Sequence, residues 1–564
     1  MKPKKKRGCL VVLIVLAAII LFCVVAGVIG YTRSRAKGSG SYVYTDEVRT
    51  IADTGDQGLG TVQVSTLPLD ASMGVRRAVY SFSGRVLVGY NDGANSVICS
   101  VNDDGTDLKE LYRGVIRSSY RLLPYADNTR ILLGDYVLEC PEGTTLDTCP
   151  TDAAILVPIH FPASFSEDAA VTDKWTETII SQDCEHIAWT IRRSDCGAVN
   201  AMGRLVRTES AYEIVDAVYI SQMNPLSDDP QNPGCSLYTP VIGGEVKQFV
   251  RGGAAISLVG SDPCGMADSV VQDVASGEVT QLTFAPGYDE TTILSPDEQL
   301  GIVMTTRFSD TTDMAALGLV PRPIGQPLHN ILGQVYMYGV TGVRGGRAGN
   351  IGPALVNLSR GMSERDYRGI DLSDPSGEWV YLSPMSWKND STRAMWIERQ
   401  REGRGYRVQI ATLVDYTPGK AVETVQTPAV GSYATEPAKS FDFDTTVLGK
   451  ASGSVHMTKK SGFLGSATVS VTYDNYSDDG VYFYTGTETS SGSILSKTTY
   501  TADLVVKDAG GRICGTMQTD MCLGAAYSIP NLIEGNNSPH LDTAHSFGTA
   551  TWEGRAVDMT RLVP

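Results

Sequence analysis

Asp289 and Glu290 stand side by side after Tyr288, and Arg307 follows beyond a Ser-Pro-Asp turn at 295–297. Neighbouring carboxyl groups can give a proton to a bound substrate and take one from it. A guanidinium beside them can grip a carboxylate through two parallel hydrogen bonds. Asp289 and Glu290 are therefore the catalytic candidates, with Arg307 and Tyr288 as candidate substrate contacts. The competing reading of the same side chains is a solvated turn or a structural ion pair, since such networks also place charges in clefts. Asp183 and Asp297 tempt a catalytic assignment too. Each lies in a Ser-x-Asp turn, where the carboxylate bonds to its own backbone and starts the next strand, and both are read as structural. Asp474, Asp478 and Asp479 carry oxygens suited to Ca²⁺, but without a matching ligand set they read as an exposed turn. No cysteine pair has the two- to four-residue spacing of a zinc site and the six histidines are scattered, so a zinc site is not expected.

The elements that would position these residues are strands. Short runs of Val, Ile, Leu and Tyr are broken every eight to twelve residues by Gly, Asp, Asn, Ser or Pro, and no long helical period competes with them. A Ser-x-Asp turn followed by an apolar strand recurs at 180–189 and 294–303, more weakly at 123–133 and 387–397. Second strands ending in polar turns follow at 96–111, 268–282 and 334–342. That grammar, at an irregular spacing of about 45–60 residues, predicts a β-propeller of six to eight blades over 43–440. A Pro/Ala/Thr-rich linker at 427–440 leads into Gly/Ser/Thr-rich alternation. Residues 446–564 are expected to form a β-sandwich-like module with a hairpin around 475–480.

Ahead of the strands, Cys9 to Ile29 (CLVVLIVLAAIILFCVVAGVI) is an uncharged run of membrane-spanning length, preceded by Lys2, Lys4, Lys5, Lys6 and Arg7. It reads as an uncleaved anchor, 1–31, with the N-terminus cytoplasmic and the bulk of the chain extracellular, above a short stalk at 32–42. A cleaved signal peptide would have a shorter apolar region. From Asp46 onward there are 39 basic and 63 acidic residues, a net of −24 that disfavours nucleic acid. Of eleven cysteines nine would be exported. The expected disulfides are Cys140 with Cys149, Cys184 with Cys196, Cys235 with Cys264 and Cys514 with Cys522, leaving Cys99 as a buried thiol.

Gly277-Glu-Val-Thr-Gln-Leu-Thr283, Tyr288 through Glu298 with Thr306-Arg307, the 140–149 segment and above all Val471-Thr-Tyr-Asp-Asn-Tyr-Ser-Asp-Asp-Gly480 with Gly486-Thr-Glu488 resemble the fungal saponin hydrolases and their bacterial relatives. These are TolB-type propellers with a C-terminal β module. The resemblance implies cleavage of a glycoside, such as a glucuronide, without a cofactor. It gives Glu290 the greater weight, because Asp289 does not match an acidic position of the family. The sequence departs from the family at Thr305-Thr-Arg-Phe-Ser-Asp-Thr311, at Ala285-Pro286 and at Ser181-Gln-Asp183. A glycosidase needs two carboxyl groups roughly 5–5.5 or 6.5–9.5 Å apart. The alternatives are a non-catalytic propeller that binds envelope glycan or protein, and a sensor or scaffold subunit.

Overall fold

The computed structural model describes residues 47–52, 59–162, 171–193, 197–261, 267–308, 318–324, 351–365, 367–403, 405–436, 442–462, 466–493, 496–524, 542 and 544–558. The expected membrane anchor, the stalk and the strand expected at 334–342 lie outside these residues. Among the described residues no helix is long and apolar enough to cross a membrane.

Residues 62–413 build six antiparallel units of four strands; the second and third are joined edge to edge into one eight-stranded sheet by parallel pairing of Ile159–His160 with Tyr212–Glu213, and the last is extended by a fifth strand, Arg49–Ile51, paired with Val62–Thr66. Blade 1 spans 77–114, blade 2 spans 123–160, blade 3 spans 171–219, blade 4 spans 245–281 and blade 5 spans 289–371. Blade 6 takes Trp379–Trp387, Arg393–Gln400 and Tyr406–Leu413 from the end of the ring and its outer strand, Val62–Thr66, from the beginning. Val62 pairs with Leu413 and Thr66 with Gln409, so the two ends of the ring are zipped by backbone hydrogen bonds.

Alternation within each strand explains how the blades stack. In blade 1, Val86 and Val88 point to one face and Leu87 to the other. The first set packs with Met395, Ile397, Val408 and Ile410 of blade 6, the second with Leu122, Ile131 and Leu133 of blade 2. Further clusters join blades 2 and 3 through Leu132 and Trp189, blades 3 and 4 through Ile179 and Phe249, blades 4 and 5 through Val250 and Leu294, and blades 5 and 6 through Ile302 and Trp396. Six interfaces for six blades close the circle. Because both faces of each sheet are covered, the strands read as nearly continuous apolar runs.

The stretch after blade 6 is a docked strap. It runs back past blades 5, 4 and 3 along the face that carries the turns between first and second strands. Val422 N–H donates to Pro296 O, Val425 N–H to Gly252 O and Thr435 N–H to Ser221 O. Two glycines make room for it. A Cβ on Gly252, whose φ is +69°, would lie 2.0 Å from Glu423 O, and one on Gly277, at φ +74°, would meet the Tyr433 ring at 2.4 Å. Part of the expected linker, 427–436, is thus bound along the propeller.

The C-terminal module corrects the sandwich expectation. Its eight strands, from Phe443–Leu448 to Arg555–Asp558, pair in chain order as one antiparallel meander and not as two facing sheets. Short connections join all successive strands but Ile513–Leu523 and Phe547–Trp552, and the expected hairpin is among them, with Tyr476 opposite Tyr484. Tyr500, Ala502, Leu504 and Val506 show the period-two burial that gives the meander one inner face. Leu319, Val320 and Ile324, between the second and third strands of blade 5, pack into that face. With them goes Arg322, whose Nη1 lies 2.5 Å from Glu488 Oε2 and 3.0 Å from Tyr500 Oη. A second tie comes from the hairpin Leu226–Asp228 and Ser236–Tyr238, where the Ser236 and Thr445 hydroxyls are 2.7 Å apart.

The cysteines correct another expectation. Cys514 and Cys522 lie on one strand, Ile513–Leu523, eight residues apart. At about 3.3 Å per residue their Cα atoms are roughly 26 Å apart, far beyond the ~7 Å limit of a disulfide. Cys140 and Cys149 are thiols in contact, and burial followed by the Cys149 neighbour pushes Cys140 well up. Cys196 and Cys264 are outside the described residues. Cys99 is a buried thiol, pushed up to about 11 by burial and then by Glu110.

Candidate functional site

The first strand of each blade is the innermost, so side chains near the start of these strands meet at the propeller axis. Arg121 precedes blade 2, Glu177 lies on the first strand of blade 3, Glu245 and Lys247 on that of blade 4, and Glu290 on that of blade 5. They form one network. Arg121 Nη2 donates to Glu177 Oε1 at 2.7 Å, and Lys247 Nζ lies 2.7 Å from Glu245 Oε2 and 3.6 Å from Glu177 Oε1. Lys247 is 1% exposed and the two carboxylates 7–8%, whereas Arg121 keeps 26% of its side chain open.

Burying ions costs several kcal/mol each unless partners replace the lost water. Here the partners prevail. Burial works against the charge of Lys247, yet Glu177 and Glu245, with Glu290 further off, hold its pKa above the ordinary lysine value. Arg121 is treated alike: desolvation opposes it, and Glu177, Glu245 and Glu290 raise it. Three carboxylates against two cations leave this cluster with a net charge of −1.

Of the four residues singled out in the sequence, only Glu290 joins the axis. Asp289 is 1% exposed, and its Oδ2 accepts from Arg307 Nη2 at 2.5 Å. Arg307 also donates from Nε to Thr305 Oγ1 at 3.0 Å and from Nη1 to Tyr367 O at 3.3 Å. Its donors are engaged inside blade 5 and present no fork to a ligand. Tyr288 is fully buried, with its backbone N–H bonded to Thr306 Oγ1. Strand alternation separates the two acids: one side of the strand faces the Arg307 pocket and the other the axis.

Sequence reasoning missed Arg121, Glu177, Glu245 and Lys247. A signal existed for the last two, in the strand Glu245-Val-Lys-Gln-Phe-Val250, where charges alternate with apolar residues although both blade faces need apolar packing. Such charges must point somewhere polar.

The turn aspartates do more than expected. Asp297 Oδ1 accepts from Ser295 Oγ at 2.6 Å within its turn, while Oδ2 accepts from Tyr416 Oη at 3.0 Å and Gly419 N at 2.8 Å on the strap. Asp183 repeats the pattern, with Oδ1 on the backbone of Glu185 and His186 and Oδ2 accepting from Thr427 N at 3.0 Å. At 475–480 the turn is held by Asp479 Oδ1, which accepts from Val481 N and Tyr482 N. Among the described residues no group of three His, Cys, Asp or Glu is placed to hold a metal ion.

No family model matches the sequence, and no curated protein matches it. Solved structures give distant resemblances. TolB from Acinetobacter baumannii is 13% identical, with a TM-score of 0.29 over 61% of this chain and 65% of that one. Oligogalacturonate lyase from Vibrio parahaemolyticus is 10% identical, with a TM-score of 0.35 over 67% and 99%. Puromycin hydrolase is 12% identical, with a TM-score of 0.31 over 79% and 60%. These values assign no activity to the chain.

Proposed function

We propose that the chain is a non-catalytic recognition propeller whose axial mouth binds a polar, hydroxyl-rich ligand of the glycan class. The observation that carries this reading is the closed set of ion pairs Arg121, Glu177, Lys247 and Glu245. Glycoside cleavage by two carboxyl groups needs one that arrives protonated and one free to attack or to activate water. Glu177 and Glu245 share Lys247, and Glu177 also accepts from Arg121, so the oxygens of both are already engaged by cations. Fixed acceptors and donors with restricted water access suit sugar hydroxyls, because each replaces hydration with a charge-assisted hydrogen bond. The apolar run at 9–29 adds the proposal that this recognition takes place at a membrane surface, on the outer side.

One observation favours a second reading, a glycoside hydrolase. Glu177 and Glu245 flank one ammonium at 3.6 and 2.7 Å, a spacing compatible with a catalytic pair after a shift of Lys247. A single experiment separates the two. Purified protein is titrated with neutral and uronate-containing oligosaccharides and, in parallel, incubated with aryl glucuronides, glucosides, galactosides and arabinosides. Recognition predicts saturable binding, weakened at least tenfold in Arg121→Ala, and turnover at the blank level. Turnover that vanishes in Glu177→Gln or Glu245→Gln overturns it in favour of the hydrolase.

A further inference from the structure

At one end of the C-terminal sheet a cavity of about 400 Å³ lies at the ends of the strands Ser452–Ser461, Ala467–Ser477, Tyr482–Gly492 and Thr498–Asp508. Lys460 and Lys497 reach it from two sides, with the hydroxyls of Ser466, Thr468, Ser491 and Ser496 between them. Among the described residues no carboxylate lines it. That is a local reversal in a chain with 63 acidic and 47 basic residues. We propose that this cavity is a binding site for a tetrahedral oxyanion, the phosphoryl group of a free or polymer-borne phosphate.

Register places the donors. Lys460 lies opposite Thr468, Thr468 opposite Ser491 and Ser491 opposite Thr499, so one row of side chains crosses four strands on the same face. Thr468 Oγ1 and Ser491 Oγ are 2.8 Å apart, which fixes two hydroxyls side by side. Ser496 Oγ accepts from Ser493 N at 3.0 Å. Among the described residues Lys497 has one acidic neighbour outside the lining, Asp542, at 3.5 Å, and its pKa is raised first by the Cys522 thiol and then by that carboxylate. Ammonium groups and hydroxyls that converge supply hydrogen-bond donors and positive charge together, which is what a phosphoryl oxygen requires, and here Asp542 is the carboxylate with which it would compete for Lys497. The site is independent of the axial mouth, since its residues belong to the C-terminal sheet alone.

The test uses the full chain in detergent, titrated calorimetrically with inorganic phosphate, with a poly(glycerol phosphate) polymer and with glycerol as the neutral control. Saturable binding of phosphate, at least tenfold weaker in Lys460→Ala/Lys497→Ala, and no heat with glycerol support the site. Tighter binding of the polymer than of inorganic phosphate makes a polymer the source, and the reverse order makes it the free ion. Asp542→Asn releases Lys497 from its neighbour and should strengthen binding severalfold, an effect that loss of structure cannot mimic. Affinity unchanged in the double lysine variant, or no saturation with any phosphate, overturns the proposal. Both lysines are solvent-exposed, so the variants keep the fold, checked by an unchanged melting profile.

Discussion

Glu488→Ala removes the carboxylate that neutralises Arg322 where the blade 5 segment enters the C-terminal sheet. The two side chains are 2% and 0% exposed, and Tyr500 Oη bridges them, 3.0 Å from Arg322 Nη1 and 2.7 Å from Glu488 Oε2. Tyr473 Oη adds a 3.3 Å hydrogen bond to Glu488 Oε1. After the substitution the guanidinium stays buried beside the Tyr500 phenol, whose ring centroid is 6.0 Å away, without the carboxylate that neutralised it. Leaving one member of a buried pair alone costs about 3–5 kcal/mol. Since 1.4 kcal/mol is a factor of ten, local opening should become roughly 10² to 10³·⁵ times more frequent. Hydrogen exchange of the amides in Tyr482–Gly492 and Thr498–Asp508 reads this opening directly, without assuming two-state unfolding of so large a chain. Arg322→Met/Glu488→Leu should recover most of the protection, because replacing both ions with apolar groups is often neutral or stabilising. Single variants whose protection falls by less than about tenfold, or a double variant whose loss equals the sum of the singles, would refute the idea that this pair locks the segment into the sheet.

Two further outcomes follow from charges already described. Asp297 is held below the ordinary carboxylate range: burial opposes ionisation, but the Ser295 hydroxyl, Gly419 N–H and Gln299 N–H over-ride it. A depressed folded-state pKa contributes stability above the unfolded value of about 3.9 and loses it as the pH falls through the folded value. Exchange in the strap at 416–427 should therefore rise below pH 4, and Asp297→Asn should raise it at neutral pH by roughly tenfold to a hundredfold, as expected for the loss of charged hydrogen bonds worth about 1.5–3 kcal/mol. Protection that does not change with either perturbation refutes this. Arg307→Met strands the 1%-exposed Asp289 carboxylate and should lower stability by about 3–5 kcal/mol, seen in chemical denaturation, with partial recovery in Asp289→Leu/Arg307→Met. A selective loss of affinity for acidic sugars with stability intact would instead return Arg307 to a binding role.

The blades were legible because their signals are local. Period-two apolar runs and Ser-x-Asp turns occur within ten residues of one another, and the strongest copies, at 180–189 and 294–303, span the first turns of blades 3 and 5. Pairing across hundreds of residues leaves no such trace, so the partnership of Val62–Thr66 with Tyr406–Leu413 had no signature. The strap was taken for a linker since Pro, Thr and Gly signal irregular backbone whether or not it is bound. At the site the difficulty was burial: Asp289 and Arg307 look like exposed turn charges when the strand carrying one and the turn carrying the other are not seen to meet. Glu177 and Lys247 were overlooked for the opposite reason, as ordinary charges within strands.

The zipped blade has a consequence during synthesis. Val62–Thr66 emerges early, but its hydrogen-bonding edge on Tyr406–Leu413 is made about 340 residues later. At roughly 5–20 residues per second the ribosome needs about 17–70 s to supply it. Over that interval Val62 and Val64, fully or almost fully buried in the finished protein, ride on a strand with a free edge, the form that recruits other chains. Five blades can stack in order as they emerge, whereas the sixth has to wait for both ends of the chain. Aggregation of truncated products should thus concentrate in fragments that end before 406, and completion of one short strand pair converts an open stack into a ring.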